Sequence, residues 1–318
     1  TLYIDTSGEP LFKRGWRADK GDAPLKETLA AAMLAASGWS MGDGTPANPD
    51  GLVAQGVPLY DPCCGSGTIA VEAAQIACNI APGSMRKFGF QKLIPYQEHV
   101  WHGLLDNARA QECEPRAPIY GSDVAFRMVD FAQRNAERGG VAHAVQLRGG
   151  DALQRMPPCD VPGVMLVNPP YGERIEAAGI AGAARRARYS PPTEYVSPYE
   201  DVDQHGDAGF DAGGSESSMV RDDVPRFGAR DIAQTDDGGD FFAQLASHWK
   251  KNYAGWSAWM LTPDLKLPSR MRFKESRRVP MWNGPIECRM FRFDLRAGSM
   301  RNKPNDAPSG KDQGASAS

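Results

Sequence analysis

The sequence predicts an α/β fold, with a mostly parallel sheet and helices on both of its faces. Three observations support this prediction. Short apolar stretches alternate with stretches of helical spacing between residues 57 and 167, as in βαβ units. The stretch VMLV at 164–167 is apolar throughout, which is typical of a parallel strand covered on both faces. Two apolar stretches around Asn283-Gly284 predict a closing antiparallel hairpin.

The individual elements follow from periodicity and from their end signals. Residues 2–17 predict two short strands around a turn at 7–10. Helical spacing, often closed by glycine, predicts helices at 24–39, 67–79, 98–112, 125–140 and 241–253. Apolar stretches predict strands at 57–61, 117–123, 144–151, 164–167 and 255–263, and a hairpin over 271–284 and 285–295. The main sheet is therefore expected to have seven strands.

Composition divides the chain into four parts. Residues 21–175 and 240–297 carry the α/β pattern and are expected to form one domain. Residues 176–239 are rich in Gly, Ala, Ser, Asp and Pro, and they predict a flexible acidic insertion. Residues 1–20 are interpreted as a strand pair or linker that follows an upstream domain, because the first residue is Thr1. The polar residues 298–318 predict a disordered tail.

The net charge of −3 hides an uneven distribution of charge. Residues 194–240 carry 13 acidic and 3 basic side chains, so the rest of the chain is net positive. A basic body favours an anionic partner such as RNA. An ordinary solvated surface remains the alternative. The basic residues predicted to contact phosphates fall in two clusters, Lys13, Arg14 and Arg17, and Lys266, Arg270, Arg272, Lys274, Arg277 and Arg278.

Other classes of protein are not favoured by the composition. The six cysteines include no C-x-x-C pair, and no set of four ligands has zinc-like spacing, so no metal site is predicted. We find no signal peptide and no apolar stretch long enough to span a membrane. The expectation is a soluble cytoplasmic protein without a membrane partner.

A glycine-rich loop, DPCCGSGT at 61–68, lies between a predicted strand and a predicted helix. Gly65 and Gly67 allow a ligand to approach the backbone, and the following helix offers free N–H groups. With Ala70 the loop also satisfies the G-x-G-x-x-A pattern of dinucleotide sites. A nicotinamide cofactor would need an acidic residue about 20 positions later. The next strand-end acid is Asp123, which lies much farther along.

A second motif, NPPYGERI at 168–175, follows the buried strand at 164–167. Two prolines cannot continue a central strand, so a rigid turn must start there. Consecutive predicted strands end at Asp61, Asp123, Asp151 and Asn168. Since ligands of parallel sheets bind beyond the carboxyl ends of the strands, these four residues predict a site at one edge.

These motifs together resemble a known family. DPCCGSGT resembles motif I of class I S-adenosylmethionine-dependent methyltransferases, and NPPY resembles motif IV of those that methylate a planar amino nitrogen. DTSGEPLFKRGWR, APLKETLAAAML, NPPYGERI and NGPIECRMFRFDL are similar to the bacterial THUMP-associated 23S rRNA guanine-N2 methyltransferases of the RlmL type. The resemblance covers residues 1–175 and 240–296. It implies a Rossmann-like class I methyltransferase fold, S-adenosylmethionine as cofactor, large-subunit ribosomal RNA as partner and an upstream THUMP domain.

The resemblance also implies roles for individual residues. The loop under the methionine part of the cofactor would comprise Asp61, Cys63, Gly65, Gly67 and Thr68. Asp123 would bind the ribose hydroxyls, although capping of the following helix is an alternative. Asp151 would accept a hydrogen bond from the adenine amino group, although a plain turn residue is nearly as well supported.

The catalytic residues implied by the resemblance are Asn168, Pro169, Pro170 and Tyr171. Asn168 Oδ1 and the Pro169 carbonyl would accept the two amine hydrogens, Pro170 would hold the turn, and Tyr171 would stack on the unstacked base. Three other functions remain open at this point. They are N6-adenine methylation of a nucleic acid, N5-glutamine methylation of a protein, and RNA binding without catalysis.

Overall fold

A computed structural model of the chain describes residues 3–21, 24–42, 45–169 and 238–296. The seven strands of the sheet are β1 (Leu59–Asp61), β2 (Ile119–Asp123), β3 (Val145–Gly149), β4 (Val164–Val167), β5 (Ser257–Thr262), β6 (Arg277–Asn283) and β7 (Ile286–Asp294). The helices are α1 (Glu27–Ala36), α2 (Thr68–Ala77), α3 (Glu98–Ala110), α4 (Phe126–Arg138), α5 (Gly238–Asn252) and the short α6 (Leu267–Arg270).

The strand order across the sheet is β3-β2-β1-β4-β5-β7-β6. The first five strands in this order are parallel, and β7 and β6 are antiparallel to their neighbours. Tyr60 of the central strand β1 pairs with Tyr120 on one side and with Met165 on the other. The chain therefore places β2 and then β3 on one side of β1. It then crosses back and places β4 on the other side of β1. Ligands of such sheets bind at the carboxyl ends of these two strands.

Helices cover both faces, which confirms the predicted fold class. On β4, Val164 and Leu166 join the apolar cluster that contains α1 and α2, while Met165 and Val167 join the cluster of α5. All four side chains are buried, as the uninterrupted apolar stretch predicts. Full burial of each such side chain stabilises the fold by roughly 1.5–3 kcal/mol. The result is a rigid sheet on which the strand ends are held in place.

The predicted strand pair at residues 2–17 is wrong, because the described residues 3–17 contain no strand. The carbonyl groups of this segment accept hydrogen bonds from residues 86–90 and not from a second strand. The Arg86 guanidinium donates to the carbonyls of Pro10 (2.9 Å) and Ser7 (3.1 Å), and Phe90 N–H donates to Thr6 O (3.0 Å). A strand ladder would need these same carbonyl acceptors, so the segment runs as an extended strap over residues 86–90.

Several boundaries also differ from the prediction, by up to six residues. Helix α5 begins at Gly238, so it includes the last two residues of the predicted acidic insertion. Strand β6 begins only at Arg277, six residues into the predicted first half of the hairpin. The remainder of the insertion and the predicted tail lie outside the described residues. Among the helices of the described ranges, none combines the length and hydrophobicity needed to cross a bilayer.

Candidate active site

The polar strand ends predicted to form a site meet at one edge of the sheet. Asp61 ends β1, Asp123 ends β2, Asp151 follows β3 and Asn168 follows β4. Burial raises the pKa of the Cys63 thiol well above its usual value, and the charges of Asp61, Asp123 and Asp151 raise it further. Three carboxylates therefore act on one thiol, which indicates that they surround a small common region.

Two glycines of the loop after β1 have different surroundings. Gly67 has φ +86°, and a Cβ there would lie 2.8 Å from Cβ of Ala132 in α4. Gly65 has φ +51°, yet a Cβ there would meet no atom within 4 Å. Gly67 is thus needed for close packing of the loop on α4. Gly65 instead presents bare backbone to open space, where a ligand can approach it.

Asp123 holds this loop in place. Its Oδ2 accepts a hydrogen bond from Gly65 N–H at 3.0 Å, and its Oδ1 accepts one from Ala125 N–H at 2.9 Å. Ala125 occupies the N-cap position of α4, so the interpretation of Asp123 as the cap residue itself is wrong by two positions. A carboxylate has about four acceptor positions, so both oxygens can still accept hydrogen bonds from a ligand.

Asp61 is buried, with 1% of its surface exposed, and its Oδ1 accepts the Cys63 N–H at 3.1 Å. Burial raises the pKa of Asp61 to about 8, and the negative charge of Asp123 contributes in the same direction. A carboxyl group with this pKa carries a proton at neutral pH. It can then donate one hydrogen bond as well as accept others.

Asp151 and Asn168 complete the described part of the site. Asp151 Oδ1 accepts Leu153 N–H at 2.9 Å, so the side chain does stabilise a turn. Asn168 is half-buried and Pro169 is buried at the end of β4. Pro170 and Tyr171 lie outside the described residues, so the predicted stacking platform has no structural description.

The first basic cluster does not form the predicted phosphate-binding surface. Arg14 Nε lies 3.2 Å from Glu72 Oε1, and each of these two side chains is at most 12% exposed. Arg17 Nε lies 3.0 Å from Glu27 Oε1, and Arg17 Nη2 donates to Thr68 Oγ1 at 2.8 Å. These buried ion pairs contradict the predicted RNA contacts of Arg14 and Arg17. Lys13 is exposed and forms an ion pair with Glu9.

The second basic cluster remains largely at the surface. Arg270 is half-buried and lies 3.3 Å from Asp264, and the exposed Arg278 pairs with Glu275 at 2.6 Å. The other members of the cluster are exposed and remain candidates for phosphate contacts, namely Lys266, Arg272, Lys274 and Arg277.

Asn135 and the acidic partners Glu27 and Glu72 were not predicted from the sequence. Asn135 is fully buried on α4 and contacts the glycine loop through the carbonyl of Ser66. A polar residue within an amphipathic helix normally faces solvent, so local spacing offered no signal for these roles.

The strand order, the glycine loop and the strand-end carboxylates define the class I methyltransferase fold. The family model described as UPF0020, the RMKL-like methyltransferase domain, matches residues 14–183. The chain belongs to this family. The prediction of a class I S-adenosylmethionine-dependent methyltransferase is therefore confirmed at the level of fold and family.

Relatives named "Ribosomal RNA large subunit methyltransferase K/L" align with almost the whole chain. The protein of Shewanella baltica (strain OS185) is 31% identical over 98% of this chain and 35% of its own length. The protein of Psychromonas ingrahamii is 32% identical over 91% of this chain and 30% of its own length. The chain thus spans about a third of the length of these relatives.

Solved structures share the fold. A Clostridium difficile 630 protein, described as a possible methylase, is 26% identical with a TM-score of 0.64, covering 94% of this chain and 59% of its own. The protein SMU.472, solved in complex with SAH, is 25% identical with a TM-score of 0.63, covering 93% of this chain and 59% of its own.

Proposed function

We propose that this chain transfers a methyl group from S-adenosylmethionine to the exocyclic N2 of a guanosine in large-subunit ribosomal RNA. The observation that carries the proposal is the position of Asn168. It follows β4, the strand next to β1, at the edge where the strand order reverses. An amide and a buried proline therefore stand beside the glycine loop expected to hold the cofactor.

The residues at this edge fit S-adenosylmethionine. Gly65 leaves open space beside bare backbone, and α2 begins three residues farther along. The carboxylate of Asp123 can accept hydrogen bonds from a ribose while it holds the loop. Asp151 lies at the next strand end, where the adenine is expected. When bound, the cofactor supplies an electrophilic methyl group on a sulfonium ion.

The remaining chemistry concerns the amine. The lone pair of an exocyclic guanine amine is delocalised into the ring, which makes the nitrogen a weak nucleophile. Asn168 Oδ1 and the Pro169 carbonyl can accept hydrogen bonds from its two N–H groups and so aim the lone pair at the methyl group. One of these protons passes to solvent as the nitrogen becomes methylated. Positioning of this kind can contribute several kcal/mol to a reaction that needs no strong base. Tyr171 is proposed to stack on the target base, which must leave its helix to reach the site.

Support for RNA as the substrate comes from the names of the relatives and from charge. The relatives above are ribosomal RNA large-subunit methyltransferases by name. The exposed Lys266, Arg272 and Lys274 follow β5, whose end lies at the same edge as Asn168. Cations at that edge can neutralise the phosphates of a bound strand. A cytoplasmic location stays a prediction, consistent with a ribosomal substrate.

The test is transfer of tritiated methyl groups to an unmodified large-subunit rRNA transcript, followed by nucleoside analysis. The expected product is N2-methylguanosine. Asn168→Ala should abolish most of the transfer. His143→Ala serves as the matched control, because His143 is exposed before β3 at the opposite edge of the sheet. Label in N6-methyladenosine, or in glutamine of a protein substrate but not in rRNA, would replace the proposal with one of the rival activities.

A further inference from the structure

The hairpin of β6 and β7 extends beyond the edge on which Asn168 lies. The last pair between β5 and β7 is Thr262 with Arg289, whereas β6 and β7 continue to pair as far as Asn283 with Ile286. Three residues of β7 therefore project past the carboxyl end of β5. At about 3.3 Å per residue the projection reaches roughly 10 Å.

Trp282 stands on this projecting tip and is 59% exposed. The tryptophans on β5 and around α5, which are Trp249, Trp256 and Trp259, are at most 3% exposed. A single exposed apolar side chain is common and proves nothing by itself. The significance of Trp282 therefore depends on its neighbours and on its position relative to Asn168.

Charged side chains and one proline surround Trp282. Side chains alternate along β6, so Trp282 shares its face with Pro280 and Arg278. Its cross-strand partner is Glu287, whose carboxylate binds Arg289 at 2.7 Å. Ile286 is also exposed at the tip, but it pairs with Asn283 and so faces the other side. Among the described residues of the hairpin, the only exposed apolar side chain that shares the face of Trp282 is that of Pro280, which is too small an area for the apolar patches that bind other proteins.

The surrounding charge favours a polyanion. Residues 264–292 carry eight Lys or Arg side chains and three Asp or Glu side chains. Each of the three acids pairs with one arginine, Asp264 with Arg270, Glu275 with Arg278 and Glu287 with Arg289, and cations remain in excess. An exposed indole ring among excess cations has the composition of a surface that binds single-stranded nucleic acid by stacking.

Register gives the distance from Trp282 to the proposed site. Arg278 is level with Phe291, Met260 and Val167 across the sheet, so Asn168 lies one residue beyond that level. Along the strand direction, Trp282 lies three residues beyond Asn168, or roughly 10 Å. Across the sheet, it lies three strand spacings from Asn168, or roughly 14 Å. Trp282 and Asn168 are therefore about 17 Å apart. A strand of about five nucleotides spans this distance at the rise of about 3.4 Å per nucleotide found along one strand of a duplex.

We infer that Trp282 is a stacking platform for an unpaired base of the substrate RNA, within five nucleotides of the target guanosine. This inference rests on the proposed function. The hairpin tip would bind the RNA that flanks the target guanosine, whereas the residues around Asn168 would carry out the methyl transfer.

The test uses this chain, an RNA fragment centred on the methylated guanosine, and copies of that fragment with one abasic nucleotide at each flanking position. In the wild type, one abasic position within five nucleotides of the target should weaken binding roughly 5- to 100-fold, the range of a lost stacking contact. Trp282→Ala should bind the intact fragment more weakly by the same factor. The abasic nucleotide at that position should not weaken the binding of this variant further. Trp282→Phe should retain most of the affinity.

Ile286→Ala is the matched control, because it removes an exposed apolar side chain from the other face of the same tip. It should bind every fragment like the wild type. Equal binding by the wild type and Trp282→Ala on all fragments, with rRNA methylation intact, would overturn the platform and leave the proposed function standing. A wild-type chain that transfers no methyl group to rRNA would overturn both.

Discussion

Asn135 on α4 donates a hydrogen bond from Nδ2 to the carbonyl oxygen of Ser66 at 2.9 Å. The same amide nitrogen donates to Asp19 O at 2.8 Å, and Oδ1 accepts from the Arg138 guanidinium at 2.6 Å. One buried side chain therefore joins the glycine loop and the backbone at Asp19 to α4. The loop conformation depends on this contact as well as on its own glycines.

The first prediction concerns this contact. Asn135→Ala leaves the carbonyls of Ser66 and Asp19 without their donor, so we expect a loss of roughly 2–4 kcal/mol in the free energy of unfolding. Gln133→Ala on the same helix removes only a contact with exposed Glu137 and should change stability by less than about 0.5 kcal/mol. Urea denaturation measures both. Equal midpoints for the two variants would contradict the role of Asn135.

The second prediction separates the two loop glycines. Gly67→Ala should destabilise the fold by roughly 2–4 kcal/mol, because positive φ and a clash with Ala132 add together. Gly65→Ala carries only the conformational cost of about 1–2 kcal/mol. Its new methyl group, however, would occupy the space that a ligand needs. We expect Gly65→Ala to weaken cofactor binding tenfold or more, roughly 1.4 kcal/mol, by calorimetry. Unchanged affinity would show that the cofactor does not approach there.

Asp123 is the subject of the third prediction. Asp123→Ala should weaken S-adenosylmethionine binding by roughly 10- to 100-fold, since hydrogen bonds to a charged group contribute about 1.5–3 kcal/mol. Asp123→Asn keeps one acceptor oxygen and should give an intermediate value. Asp130→Ala, which removes an exposed carboxylate from α4, is the control and should bind like the wild type. Calorimetry that finds equal affinities for all four proteins would exclude the ribose role.

The fourth prediction is a dependence of stability on pH. The pKa of Asp61 is about 8 in the folded protein and near its ordinary value of 3.8 when unfolded. The folded state therefore binds more protons between these values, and its stability falls as pH rises through that window. One proton gives a slope of at most about 1.4 kcal/mol per pH unit. Asp61→Asn, which keeps an acceptor for Cys63 N–H, should have a flatter profile between pH 5 and 8 by chemical denaturation. Parallel profiles for both proteins would contradict the raised pKa.

The fifth prediction concerns catalysis. Asn168→Ala removes the acceptor proposed to align the amine, so the single-turnover rate should fall by roughly 100-fold or more, the loss typical of one positioned polar group in an active site. Binding of RNA and cofactor should change little, because the contact strengthens mainly in the transition state. Rapid-quench measurements at saturating substrate test this. A rate close to that of the wild type would remove the main support for methylation of an amino nitrogen.

The elements that could be predicted correctly from the sequence are those defined by local information. The segment from Leu59 to Ala77 contains a strand, a glycine turn and a helix in direct succession, and each has its own composition. The positions of Asp61 and Asn168 followed from where apolar stretches stop. The parallel sheet then brings those stops to one edge, whatever the details of packing.

The N-terminal strap was predicted wrongly for the opposite reason. Its apolar residues suit a strand, but a strand forms only where a neighbour offers a ladder. Here the Arg86 guanidinium and Phe90 N–H donate hydrogen bonds to the carbonyls that a strand ladder would need. Both lie more than 70 positions away in sequence, so no local pattern reveals them.

The sequence by itself determined the succession of strands and helices along the chain, the glycine loop and the polar strand ends. Each of these depends on residues within one or two elements. Only the tertiary structure decided which charges face solvent. Arg14 and Arg17 looked like RNA contacts until folding placed Glu72 and Glu27 beside them. A buried charge is tolerated only where an opposite charge meets it, and that partner is chosen by packing between distant segments.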